Sequence, residues 1–268
     1  MSAKTIKSAL GLLQDDPDLG EAWDSLAGAV GESNMKGDEL RKLLEAARRA
    51  HEARREFGAV ARLLAIEAKA AEGTDREAEL VAEWARTLDE DLLDDDGARG
   101  AYERLAKLRP GDAMAEEAIE RSEAKRGKWR DLVERYVQEA QGGGDAAFRC
   151  SLLVSAAEVT YRFGRDKDRK RVEPLLQEAM ELDGRNRRGQ LLLERILRAD
   201  ERWEDLVRVL THFAAESTQK DEKVAALLRL ARVQRKKLSA PERAATTYES
   251  VLDLVPGHSE ATSFLSDH

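Results

Sequence analysis

Apolar residues recur at spacings of three and four along nearly the whole chain, which is the pattern of amphipathic helices and not of alternating strands. In the last quarter it predicts four helices, roughly 201–216, 219–238, 241–254 and 258 onward. Their breaks fall at turn chemistry: "STQKD", then "LSAPE", where Pro241 suits a helix's first turn, then "VPGH" just past a helix end. Four such segments make two helical hairpins.

The same phrase occurs earlier in the chain. "AYERLAKLRPGDAMAEEAI" (101–119) aligns with "TYESVLDLVPGHSEATSFL" (247–265), pairing Tyr102 with Tyr248, Pro110 with Pro256, Gly111 with Gly257 and Ala115 with Ala261, all 146 apart. The offset runs back without a gap through Ala98 and Ala244, Ala85 and Ala231, and Val81 and Leu227 to Phe57 and Trp203. A middle copy lies between them, because "KWRDLV" (128–133) echoes "RWEDLV" (202–207), with Trp129 placed 72 after Phe57 and 74 before Trp203. Its loop "GRDKDRKRVEP" is two residues longer than its counterparts. A period of about 73 residues therefore divides the chain into approximate units 57–128, 129–202 and 203–268, with divergent hairpins over 1–56. Phe standing in for Trp predicts that the ring at this position is used for packing and is largely buried.

Half of the hairpins resemble the tetratricopeptide repeat, whose pattern runs W-x2-L-G-x2-Y, A-x3-F, P. The residues that carry the resemblance are Ala98-x3-Tyr102 with Pro110, Ala244-x3-Tyr248 with Pro256, and the preceding Val81, Trp84, Ala85 and Leu227, Leu230, Ala231. The intervening hairpins depart from it: Glu120 stands where a small residue is expected, and Trp129 opens a helix without Ala-x3-aromatic. The resemblance implies an all-α fold, a right-handed α-solenoid of about seven antiparallel helical hairpins forming one domain over 1–268. It also implies an interaction scaffold whose first helices line a groove. The unpaired last helix implies a cap or a piece of a longer protein, the second being favoured.

Composition agrees with the helical reading. Charged residues make up 37% of the 268 residues against a typical quarter, hydrophobic residues 42%, and Pro numbers five. A formal charge of −8 argues against nucleic-acid binding, no apolar run reaches the roughly 20 residues of a membrane span, and the N-terminus turns acidic before a signal segment forms. The expected setting is cytoplasmic. Cys150, alone among apolar neighbours, predicts a small buried residue.

Few residues suggest chemistry. His51, His212, His258 and His268 are not at metal-ligand spacing, "QGGGD" (141–145) lacks the rest of a phosphate loop, and "DEDLLDDDG" (89–97) lacks an EF-hand's alternating ligands, leaving a solvated turn. No catalytic site, cofactor or metal is expected, and the chain is read as not an enzyme. Charge is instead polarised: residues 72–97 hold eleven acidic residues and two Arg, while 162–198 hold eleven basic and seven acidic.

Groove positions carried over from the family sharpen this polarity. They are Ala225, Leu228, Arg229, Arg232, Arg235 and Lys236 in the last copy, and Glu79, Ala82, Glu83, Arg86, Asp89 and Glu90 in the first. The expected partner is another protein or peptide, with acidic groups meeting Arg229, Arg232, Arg235 and Lys236, and with Glu79, Glu83 and Arg86 forming the opposite end. Ordinary solvated helix faces are the competing reading. The alternatives are a sensor holding a peptide or small ligand, and a module that self-associates end to end. Bacterial polarity, motility and pilus machineries use scaffolds of this general sort, including ones that engage small GTPases.

Overall fold

The computed structural model describes residues 2–33 and 37–267; His268, one of the four histidines, lies outside the described residues. Every regular element among them is helical. The helices group into two compact units, Met1–Gly127 and Lys128–His268.

The first unit contains α1 (Ser2–Asp15), α2 (Gly20–Gly31), α3 (Gly37–Ala53), α4 (Phe57–Ala70), α5 (Asp75–Arg86), a π-helical turn (Thr87–Asp91), α6 (Asp95–Leu108) and α7 (Ala113–Arg126). Each of these helices packs on its neighbours in sequence, apart from α2 and α3; α1 reaches α3, and α2 reaches α4. This is stacking of antiparallel hairpins, an α-solenoid arrangement in which a hairpin buries its apolar face only against the next. The interior follows the period of the sequence. Ile6, Leu13, Trp23, Leu26, Leu44 and Leu63 close one part, and Leu64, Val81, Ala85, Tyr102, Leu105 and Ala115 the next. Trp23 lies on α2, and its indole N–H donates to the Pro17 carbonyl at 2.9 Å.

The second unit contains α8 (Trp129–Gln141), α9 (Ala146–Phe163), the single turn α10 (Asp166–Arg169), α11 (Val172–Leu182), α12 (Arg187–Ala199), α13 (Trp203–Glu216), α14 (Lys220–Lys236), α15 (Pro241–Leu254) and α16 (Ser259–Asp267). α10 is built from the residues that lengthen the middle copy's loop. Cys150 is fully buried, as expected, and burial pushes its thiol above the ordinary value.

The 146-residue repeat holds down to single hydrogen bonds. α4 and α13 coincide end for end under that offset, as do α6 and α15. The left-handed residues outside glycine are Arg55, Leu93, Glu201 and Ser239, which form two pairs 146 apart. Each sits at the same junction in its copy. The Glu56 N–H donates to the His51 carbonyl at 3.0 Å, as the Arg202 N–H does to Leu197 at 2.9 Å; Asp94 donates to Leu88 at 2.9 Å, as Ala240 does to Gln234 at 2.9 Å. Gly111 and Gly257 share φ of 81° in the turn after the Tyr helix, where a side chain would be strained.

The three ring positions open their helices: Phe57, Trp129 and Trp203 are the first residues of α4, α8 and α13. Trp129 is buried, whereas Phe57 and Trp203 are half-buried, less than expected. Arg130 lies 4.5 Å from the Trp129 ring and Lys237 5.3 Å from the Trp203 ring, so a cationic side chain covers part of what a hairpin was expected to cover. Small residues elsewhere permit close approach. A Cβ at Gly189 would come within 2.5 Å of the Met180 side chain, and its counterparts Ala115 and Ala261 are fully buried.

The left-handed turns make a quantitative prediction. Glu201→Gly and Ser239→Gly should each stabilise the protein by about 1 kcal/mol in denaturant titrations, because a Cβ in that conformation costs roughly 1–2 kcal/mol. Gly111→Ala and Gly257→Ala should destabilise by a similar amount. Loss of stability in the first pair would refute the repeated-turn geometry.

Candidate functional site

Each unit has its own candidate site, the charged residues of α3 and α5 in the first and those of α12 and α14 in the second, and local helix geometry determines their placement. In α3, Arg48 and Glu52 are one turn apart, so both project from the same side. Arg48 Nη1 donates to Glu52 at 2.9 Å and also to Glu83 of α5, and its Nε donates to Glu67 of α4 at 3.0 Å. Glu83 is therefore not a solitary groove residue but the far end of a bridge 35 residues long.

The second unit builds the same bridge with the signs exchanged. Under the 146-residue offset Arg48, Glu52 and Glu83 correspond to Glu194, Arg198 and Arg229. Glu194 accepts from Arg229 Nε at 3.0 and 3.1 Å and from Arg198 at 3.4 Å. One base between two acids thus becomes one acid between two bases. The surroundings differ at one buried position, where Glu67 of the first unit stands in the place of Phe213.

Arg229 and Arg232 do not line an open groove as expected. Both are buried: Arg229 is held by Glu194, and Arg232 is bidentate on Glu260 of α16 at 2.6 Å through each nitrogen. The reason is the same for both, since a guanidinium between helices reaches a neighbouring hairpin's carboxylate, the preceding one for Arg229 and the following one for Arg232, before it reaches solvent. The Tyr248 hydroxyl donates to the same Glu260 at 3.0 Å, and burial, with Glu260 beside it, raises the phenol well above its usual range. Arg235 lies 5.4 Å from the Phe264 ring and is half-buried, and Lys236 is exposed. In the first unit Glu79 and Arg86 are exposed on α5.

Sequence reasoning missed two further features. Asp95, assigned to a solvated turn, is buried at the start of α6, where it accepts from Ser122 at 2.6 Å and pairs with Arg126. Its signal was present in Ser122 and Arg126, one turn apart on α7. The second is His51, buried beside Glu56 at 2.6 Å and Arg54 at 3.1 Å in the turn containing left-handed Arg55. Among the described residues no group of three or more His, Cys, Asp or Glu is placed to hold a metal ion, and no helix is long and apolar enough to cross a membrane.

Fold and site together define a helical-repeat protein whose successive hairpins are joined by arginine–carboxylate bridges. No family profile matches the chain, and no curated protein matches it. Among solved structures it is similar to "Assembly Chaperone of RpL4 (Acl4) (Residues 1-338)", at 15% identity and a TM-score of 0.29, over 97% of this chain and 93% of that one. A TM-score of that size says nothing about this chain's partner.

Two measurements follow from the bridges. Arg229→Ala should cost about 3 kcal/mol in denaturant unfolding, since it strands a buried carboxylate, and the exchanged pair Glu194→Arg with Arg229→Glu should recover most of the loss. No recovery would mean that the bridge is not held at equivalent positions. Glu67 supplies the second, because burial pushes its carboxyl above the usual value despite the Arg48 bond. An acid with a raised folded pKa stabilises most when protonated and loses that contribution as pH rises through the folded value. Relative to wild type, Glu67→Gln should therefore gain stability between the ordinary carboxylate range and neutrality. A constant difference across that window would contradict the assignment.

Proposed function

We propose that the protein is a non-enzymatic scaffold of the tetratricopeptide-like kind that binds a partner protein or peptide along the face of α3 and α5 in the first unit and the equivalent face of α12 and α14 in the second, each taken by itself. The observation that carries this reading is the contrast between core and face. Across 146 residues the core positions keep their character, Ala85 and Ala231, Tyr102 and Tyr248, and Ala115 and Ala261 all being buried. The bridging triad on the face reverses every charge. Packing is satisfied by either sign, so the sign itself remains available for choosing what docks there.

In this reading Arg229 and Arg232 hold hairpins together and orient the face of the second unit, and the exposed Lys236 with the half-buried Arg235 would meet carboxylates of a partner. Glu79, Glu83 and Arg86 form the corresponding acid-rich surface of the first unit. Reversing Arg229, Arg232 and Arg235 together would break internal bridges and therefore could not report on binding alone.

The discriminating experiment captures the partner from the source cell and maps it by cross-linking mass spectrometry. Cross-links should concentrate on α3, α5 and α14, with Lys236 prominent, and Lys236→Glu should reduce capture several-fold while leaving the melting temperature within a degree or two. Cross-links confined to the opposite helices, α4, α6, α13 and α15, or unchanged capture by Lys236→Glu, would reject this face.

A further inference from the structure

We infer that the Arg48–Glu52–Glu67–Glu83 cluster is a recognition site for a cationic side chain, a Lys or Arg presented by a basic peptide segment of a partner. The inference deepens the scaffold reading and rests on it. It starts from an imbalance: one guanidinium serves three carboxylates, two of them through the same nitrogen. Glu52 and Glu83 share Arg48 Nη1, which brings the two carboxylates to one cation. Their side chains are 37% and 42% exposed, so they are open from outside.

Glu67 adds a carboxylate that its two arginine neighbours satisfy only in part. Its side chain is only 3% exposed, its Oε1 accepts from Arg48, and its buried Oε2 has no hydrogen-bond donor, the Arg76 guanidinium standing 3.8 Å away. Phe213 fills the equivalent place in the second unit, where Glu194 stands in the position of Arg48 and needs no acid beside it, whereas in the first unit Glu67 accepts from the buried Arg48 Nε. An acid retained at such a position keeps the triad negative, where the second unit's triad is positive. A cation approaching Glu52 and Glu83 would share the charge that Arg48 balances there, freeing that guanidinium to serve Glu67 more fully. The exposed Glu79, one turn before Glu83, extends the acidic surface, and Arg86, three residues after it, confines the cation's approach to the Glu79 side. A metal ion is a poorer occupant, because among the described residues no carboxylate group is arranged to coordinate one.

The test uses the full chain and a fluorescein-labelled peptide of alternating Lys and Ala, with its Glu–Ala counterpart, followed by fluorescence anisotropy at about 0.1 M salt. Glu52→Gln with Glu83→Gln should weaken the Lys peptide at least tenfold, and Glu67→Phe should weaken it several-fold. The control Glu249→Gln with Asp253→Asn removes the same charge from the second unit and should change little. The triple exchange Arg48→Glu, Glu52→Arg, Glu83→Arg should make the site prefer the Glu peptide. Equal weakening by site and control variants would show attraction to net charge only and overturn the proposal, as would undiminished binding by the double variant. Should the triple exchange fail to fold by circular dichroism, the double variant decides, since both of its residues are half out of the protein. Displacement of the peptide by millimolar magnesium or calcium in wild type but not in the double variant would assign the site to a metal and also overturn it. Peptide binding at the triad together with failed partner capture would leave this site standing and reject only the scaffold reading.

Discussion

A hairpin in this fold can bury its apolar face only against the next hairpin, so packing between helices adjacent in sequence carries the structure and a polar contact between alternate helices sets its register. That contact is repeatedly an arginine on a carboxylate 27–39 residues away, a separation close to the length of one hairpin. Arg48 with Glu83, Arg188 with Glu158, Arg229 with Glu194 and Arg232 with Glu260 join first helices, while Arg171 with Glu134, Arg202 with Glu173 and Arg243 with Glu204 join second helices. The two ladders have different weights. Pairs such as Arg171–Glu134, half exposed on both sides, are worth at most about 1 kcal/mol each. Arg229–Glu194 is buried on both sides, and there the attraction is largely offset by desolvation, so its value lies in forbidding misregister, which would strand a charge.

That division explains why the core can be so plain. Much of the interior is alanine and leucine, with Ala85, Ala115 and Ala157 fully buried and few large aromatic rings among them. Such a core packs closely but distinguishes poorly between neighbouring registers, because one small apolar residue resembles another. The bridges supply the missing specificity, and the left-handed turns fix the angle at which each helix returns. The last helix shows the combination at its smallest. α16 is nine residues long, and Glu260 ties it to Arg232 and Tyr248 while Phe264 stacks on Tyr248 with centroids 4.9 Å apart.

Sequence periodicity was sufficient for the fold because helices, turns and the small-residue contacts all follow local chemistry. Pro241, the Pro–Gly turns and the ring positions fell at helix ends within a residue or two of where the pattern placed them. The site was less legible for a physical reason. Family position places Arg229 and Arg232 on the inner side of their helix, but whether they meet solvent or a carboxylate depends on Glu194 and Glu260, 35 and 28 residues away. Asp95 misled similarly, since an acidic run reads as solvated until Ser122 and Arg126 are known to face it. The charge exchange between Arg48–Glu83 and Glu194–Arg229 was visible in principle at the 146-residue offset, but only once the partners were known to be partners.

A bridge that keeps its geometry while exchanging its charges separates two demands that usually constrain the same residues. Holding two hairpins together requires opposite signs at two positions, and either assignment satisfies it. What a ligand would meet under the proposal is the third residue of the triad, Glu52 in one unit and Arg198 in the other, together with whatever lies beneath. Glu67 beneath the first triad adds negative charge at the cost of an incompletely satisfied carboxylate, whereas Phe213 adds none beneath the second. The destabilising choice therefore occurs only in the unit whose surface is already acid-rich. A phenyl ring in that place would leave the buried Arg48 Nε without its acceptor, so the acid goes with the sign of the first bridge, and its Oε2, which accepts no hydrogen bond, is what the proposed cation would relieve by freeing Arg48.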